Sequence, residues 1–238
     1  MKISLVIPMY NESKIIEATA RELSDYMSKN FEPDSYEILF SNDGSKDDCA
    51  EKCAALDLPG VRVVGYEVNH GKGCAVREGI MQAQGDIIMF TDADLAYGTE
   101  VIKKYYDKFE ELPDTDMLIG SRNISADGYE GYTFLRKVMS KVYIKVLCIV
   151  GGFKLTDSQC GCKAFRKDTA KEIFSKCEVN GFAFDFEVIL FATKLGKKIT
   201  EMPVKIINHR ESSVNPLRDS VKMLRDLIRI KKRVKKAQ

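Results

Sequence analysis

The sequence predicts an α/β fold, a mostly parallel central sheet with helices on both faces. Three observations carry this. Short β-rich runs alternate with longer helical patterns over residues 1 to 120. The runs are apolar on both faces, as strands covered on both sides must be. No Pro/Ser linker, internal repeat or low-complexity tract interrupts the chain.

In order, ISLVIP precedes a helical stretch from Ser13 to Asn30, YEILFS precedes Lys46 to Leu58, and VRVVGY precedes Lys72 to Gln84. DIIMFTD then precedes Thr99 to Leu112, and DMLIG follows. Four successive β-α units imply parallel pairing, because parallel strands need a crossover and a helix supplies it. After residue 120 the pattern loosens. Helical periodicity returns in Thr133 to Val150, Phe184 to Leu195 and Pro216 to Val234, with short strands at Lys163 to Arg166 and in ITEMPVKII. The 238 residues read as one domain with a first half (1–122), a second half that completes the site (123–215) and a C-terminal helix (216–238).

The composition, 45% hydrophobic and 30% charged, is that of a globular protein. No apolar run approaches the ~18 to 20 residues of a membrane span; Val146 to Val150 is halted by Gly151 and Gly152. Pro8 and Asn11 break the pattern a signal peptide would need, so a cytoplasmic location is expected, with peripheral attachment to a membrane face as an option. Seven cysteines, an odd number, suit reduced thiols; Cys49 with Cys53 and Cys160 with Cys162 lack CxxC spacing, and zinc is not expected. A nucleic-acid partner is not expected either.

In a parallel sheet, ligands sit beyond the carboxyl ends of the strands. Those ends read Pro8-Met-Tyr10-Asn-Glu12, Asn42-Asp43-Gly44-Ser45, Glu67 to Gly73, Asp92-Ala93-Asp94 and Ser121-Arg122. If Asp92 and Asp94 stand on a strand end, residues i and i+2 face one volume. Two carboxylates there repel, and a hard divalent cation, Mg2+ or Mn2+, relieves the repulsion. A lone DxD is common on surfaces; its place at the fourth strand end gives it weight. Asn69 to Gly73, opening a helix with Lys72, offers amides and a cation to an anion, or is a glycine turn with a solvated lysine. Asp43 and Ser45 suit a helix cap, with ligand binding competing for Asp43.

VIPMYNES, SNDGSKDD, NHGKGCAVREGI, FTDADLAYG, GSR, DSQCGCKAF and FAFDFEV, in this order, resemble the family 2 glycosyltransferases of the GT-A nucleotide-sugar fold. Within that family the likeness is greatest to polyprenyl-phosphate transferases, the dolichyl-phosphate mannose and glucose synthases. The resemblance implies an inverting, metal-dependent transfer of a hexose, glucose rather than mannose, from a nucleotide sugar such as UDP-glucose to an isoprenoid lipid phosphate. It places Pro8, Tyr10, Glu12, Asp43, Lys72, Asp92 and Ala93 at the nucleotide sugar, and Asp92 and Asp94 on the metal. Arg122, Arg136 and Ser140 would hold the acceptor phosphate. A phosphate acceptor is already ionised and needs no base. A sugar hydroxyl acceptor, as on a surface glycan, would need one, with Asp157 or Asp185 as candidates. A nucleotide-binding module without catalysis is the third reading.

The chain departs from the mannose pattern at Ala96, where those enzymes carry a metal-binding Gln, and at Ser212-Ser213-Val214, where a lysine is lost, with Arg210 nearby in shifted register. Finally, Lys222 to Lys236 contains eight Lys or Arg and one acid, Asp226. Its apolar positions Val221, Leu224, Leu227, Ile228 and Val234 make a basic amphipathic helix, suited to a membrane surface or to covering the sheet.

Overall fold

The computed structural model describes residues 1–125, 128, 134–208 and 216–237; the side chains of 134–136 and 216–225 lie outside the description. Strand β1 (Ile3–Met9) pairs in parallel with β2 (Tyr36–Asp43) on one side and β4 (Ile87–Phe90) on the other, and β3 (Val61–Tyr66) extends the sheet beyond β2. The full order is β3-β2-β1-β4-β6-β5-β7. Strand β5 (Met117–Ser121) does not adjoin β4. Instead β6 (Lys163–Arg166) enters between them, antiparallel to both, and β7 (Ile199–Pro203) closes the edge in parallel with β5. The N-terminal end of β6 therefore lies at the same rim as the carboxyl ends of β4 and β5, with Lys163 opposite both Phe90 and Ile119.

The apolar alternation along each strand feeds two cores. Ile3, Leu5, Ile7, Phe40 and Met89 face helices α1 (Ile16–Asn30), α2 (Cys49–Ala54) and α4 (Glu100–Glu111). Val6, Leu39, Ile88, Phe90 and Phe165 face α3 (Lys72–Gln82), α5 (Phe134–Gly151), α6 (Lys167–Phe174), α7 (Phe184–Lys194) and α8 (Pro216–Lys236). Phe90 stacks near Phe165 and Phe184, at centroid distances of 6.4 and 5.8 Å. Losing such a buried ring costs about 3 to 5 kcal/mol.

The sequence reading assigned no element to 167–174, where α6 lies. Ala170, Ile173 and Phe174 do recur at helical spacing there, and all are buried. In α8, Leu227, Ile230 and Val234 are buried in the second core, and Arg233 pairs with Glu187 and Glu178. Of the two roles open to this helix, Leu227 and Val234 of its apolar stripe take the covering role, while Ile228 is 57% exposed. Val221 and Leu224 lie outside the described side chains. No helix among the described residues is long and apolar enough to cross a membrane.

Candidate active site

Strand β4 ends at Phe90, so Asp92 and Asp94 stand on the turn that follows it and not on the strand itself. This corrects the geometric reason given for their proximity. The turn is closed by the Leu95 amide donating to the Asp92 carbonyl at 3.1 Å and by the Ala96 amide donating to Asp94 Oδ1 at 3.1 Å. Leu95 takes a left-handed φ of 48°, costly for a branched side chain. Its side chain is buried in the first core, and burying a leucine is worth about 1.5 to 3 kcal/mol, enough to offset that cost. Thr19 of α1 pins the turn from below, its hydroxyl donating to the Ala93 carbonyl at 2.9 Å.

The carboxylates meet a cation of the chain's own. Lys72 Nζ lies 2.5 Å from Asp92 Oδ1. Burial works against the lysine's charge, but Asp92, then Asp185 and Asp94, hold its ammonium above the ordinary lysine value. Behind them Lys163, fully buried, binds Asp185 at 2.5 Å and donates to the Cys160 carbonyl at 2.6 Å. Burial pushes the Asp185 carboxyl upward, partly countered by Lys163 and Lys72. Sequence reading missed Lys163; a charge opening an otherwise apolar strand was its signal. Gly161 was missed too. A Cβ there would stand 2.3 Å from Asp92 Oδ2, so any side chain at this position would push that carboxylate aside where DSQCGC closes against the acidic turn.

The second cluster is Arg122 with Asp157. The guanidinium donates from Nε to Oδ2 at 2.6 Å and from Nη2 to Oδ1 at 3.0 Å, a two-pronged pairing on a carboxylate with no solvent exposure. Asp157 also accepts from the Arg122 and Gln159 amides. So engaged, it orients the arginine and is poorly placed to act as a base. Tyr97 lies in the field of both Arg122 and Asp92; burial first, with Cys160 adding to it, keeps its hydroxyl protonated well above the ordinary range. Its oxygen accepts from the Gly161 amide at 3.4 Å, which ties the two clusters to one rim.

Asp43 differs from expectation. It is 3% exposed, and its carboxylate accepts from Tyr66 OH at 2.7 Å, Asn69 Nδ2 at 2.8 Å, and the His70 and Gly71 amides at 3.0 Å each. It does not cap the helix that follows it; it anchors the loop before α3. That loop is not an open anion cradle either, because the Gly73 and Cys74 amides donate to the Asn180 carbonyl at 2.7 and 3.3 Å. Lys72 alone of this motif reaches the acidic turn.

Pro8, next to last in β1, is half-buried, Tyr10 beyond the strand is 41% exposed, and Glu12 leads into α1 by accepting the Ile15 and Ile16 amides on its carbonyl. Asn11 fastens this loop to the β2 end, receiving the Lys46 amide on Oδ1 at 2.8 Å while its own amide donates to Ser45 Oγ. An exposed tyrosine just beyond the end of β1 offers a face on which a base can stack. Ser140 is half-buried on α5; the side chain of Arg136, and all of Arg210 and Ser212 to Val214, lie outside the described residues.

Among the described residues no three His, Cys, Asp or Glu side chains gather as a metal cluster. Two carboxylates with an ammonium already drawn to them do fit a divalent cation that takes its other ligands from water and a diphosphate, as Mg2+ and Mn2+ do.

The sequence profile of glycosyl transferase family 2 matches residues 4–174. The chain belongs to this family. As a family 2 glycosyltransferase it is similar to a dolichyl-phosphate β-glucosyltransferase of Trichomonas vaginalis, 32% identical over 96% of this chain and 72% of the relative. The human dolichyl-phosphate β-glucosyltransferase is 29% identical over 98% of this chain and 75% of its own length. Among solved structures, glucosyl-3-phosphoglycerate synthase from Mycobacterium tuberculosis, crystallised with Mn2+, UDP and phosphoglyceric acid, superposes with a TM-score of 0.71 at 20% identity, covering 100% of this chain and 80% of that one. Mannosyl-3-phosphoglycerate synthase from Rubrobacter xylanophilus gives 0.67 at 19% identity, covering 98% and 73%. The fold of this glycosyltransferase is thus GT-A.

Proposed function

We propose that this glycosyltransferase moves glucose from UDP-glucose to the phosphate of a dolichyl or related polyprenyl phosphate, with inversion at the anomeric carbon and with a divalent cation. The relatives named for that reaction support the substrates, and the bound Mn2+ and UDP of the mycobacterial enzyme support the metal and nucleotide. One observation of the site carries the acceptor class. Both carboxylates expected as bases are committed to cations, Asp157 to Arg122 and Asp185 to the buried Lys163. A hydroxyl acceptor needs a base and a phosphate acceptor does not.

In this reading an acceptor phosphate oxygen attacks the anomeric carbon, the bond from that carbon to the diphosphate breaks, and UDP leaves with the electron pair. Displacement on an α-linked donor yields a β-linked product. Tyr10 stacks on the base, and Asp92 and Asp94 hold the cation that neutralises the diphosphate. Lys72 supplies a second positive charge beside it, and Arg122, oriented by Asp157, receives the acceptor phosphate. Positioning and charge neutralisation then do the work.

The test is incubation with radiolabelled UDP-glucose or GDP-mannose, dolichyl phosphate and Mg2+ or Mn2+. Label moving from UDP-glucose into the lipid extract is the expected result; no lipid label from any donor would overturn the proposal.

A further inference from the structure

Helix α5 carries an apolar stripe that nothing among the described residues covers. Val138, Val142 and Ile149 are 40, 58 and 71% exposed. With Lys145 they are spaced four, three and four residues apart, and so share one helix face about 16 Å long. The opposite side is anchored, since Ile144 and Leu147 are buried. Beside the stripe runs a groove of about 600 Å³, with Ile144, Phe153 and Leu155 among its apolar lining and Lys141, Lys145 and Lys154 among its cationic lining. Its inner wall includes Asn123 and Thr156, joined by a 2.7 Å bond from Asn123 Nδ2 to the Thr156 carbonyl. Their chain neighbours are Arg122 and Asp157.

We propose that this face of α5 docks on an anionic lipid bilayer, with Val138, Val142 and Ile149 entering the acyl boundary and Lys141, Lys145 and Lys154 meeting the head groups. Exposed branched aliphatics on a helix face mark a contact surface. The charge selects the partner: from Phe134 to Thr156 the sequence has no Asp or Glu. A second copy docked about a two-fold axis would set these lysines against one another, whereas an anionic membrane attracts each, and long lysine side chains reach the head groups while their stems stay in apolar contact. The membrane contact thus belongs to α5, which exposes three aliphatics on one face, whereas among the described side chains of α8 Leu227, Ile230 and Val234 are buried and Ile228 is the one large apolar side chain left exposed. The purpose of the contact rests on the lipid-acceptor reading, since it brings the groove and Arg122 to the layer where a polyprenyl phosphate resides; the contact itself needs no catalysis.

The full chain is floated with vesicles of phosphatidylcholine alone and of phosphatidylcholine with phosphatidylserine. Wild type floats with the anionic vesicles and is released by salt. V142E/I149E lowers the partition at least about tenfold, and K141E/K145E lowers it roughly fivefold per lysine. K232E/K235E on α8 changes it little. Melting temperature confirms folding, and V142E/I149E keeps its transferase rate on a short isoprenoid phosphate in detergent. Flotation unaffected by V142E/I149E, binding abolished by K232E/K235E alone, no binding to any vesicle, or a dimer that V142E/I149E converts to monomer would each overturn the proposal. Absence of turnover with intact flotation would overturn the acceptor reading and leave this one standing.

Discussion

Lys72 Nζ and Asp92 Oδ1 are 2.5 Å apart, so the first acid of the DxD turn already has a positive partner supplied by the start of α3. A metal ion arriving alone must compete with that ammonium, while one arriving with a diphosphate offers the lysine a new anion. Lys72→Met should therefore strengthen Mn2+ binding without nucleotide by about tenfold, the scale on which a neighbouring opposite charge biases a carboxylate. It should also shrink the gain that UDP normally adds. Titration of Mn2+ followed by paramagnetic resonance reads both quantities, and equal affinities in variant and wild type would show that the ion pair does not restrain metal entry.

Asp92→Asn and Asp94→Asn should each lower turnover by about a thousandfold, the several kcal/mol expected when charge neutralisation at a leaving diphosphate is lost. The same variants should lose the rise in melting temperature that Mn2+ with UDP gives wild type. Chelation should reproduce both effects in the unmodified protein.

Gly161→Ala tests the close approach of DSQCGC to the acidic turn. The added methyl would sit 2.3 Å from Asp92 Oδ2 and must displace it. Displacement on the ångström scale costs about a hundredfold in rate. Gly181→Ala, whose Cβ meets nothing within 4 Å, is the control and should leave the rate unchanged.

Asp157→Asn separates an orienting role from a basic one. If Asp157 only aims Arg122, the variant loses rate through a weaker, less directional pairing, and the acidic limb of the kcat/KM pH profile keeps its shape. Loss of a titrating limb in the variant would instead identify Asp157 as a base and favour a hydroxyl acceptor.

A further prediction concerns acid stability. Glu37 is 7% exposed and accepts from Ser4 Oγ at 2.5 Å, the Gln84 amide at 2.6 Å and Arg62 at 3.2 Å. Burial alone would raise its carboxyl; Ser4, the Gln84 amide and Arg62 together hold it below the usual range. A depressed acid stabilises the fold above its unfolded value of about 4.3, and that contribution is lost as pH falls through the folded value. Glu37→Gln should cost about 1 to 2 kcal/mol at neutral pH, and flatten the decline in melting temperature on acidification.

Much of the sheet was legible because strand and helix periods differ, and both alternate cleanly from Ile3 to Leu112. What escaped was set by distant pairings. Nothing local says that β6 inserts between β4 and β5, or that Lys163 meets a carboxylate 22 residues on. Helix α6 follows β6 with no break in sequence at Arg166-Lys167, so no turn signal marked its start. The DxD turn was recognisable as acids after an apolar run, but its shape depends on Leu95 finding the first core. Asp43 shows the limit from the other side: its position at a strand end suited a cap on the following helix or a ligand role, and only the folded structure shows that its oxygens hold the 69–71 loop.

The place of β6 also bears on how the chain can be divided. A fragment ending at residue 122 would keep β3-β2-β1-β4 but leave the edge of β4 unpaired and β5 without its neighbour, because the strand between them comes from residues 163–166. The remaining fragment would present β6 with both edges unpaired and β7 without β5. Co-expressed, the two pieces should reassemble by interleaving, with β6 pairing antiparallel to β4 and β5 and β7 pairing parallel to β5, which makes the 122 boundary a natural point for a split reporter whose signal depends on the two pieces meeting.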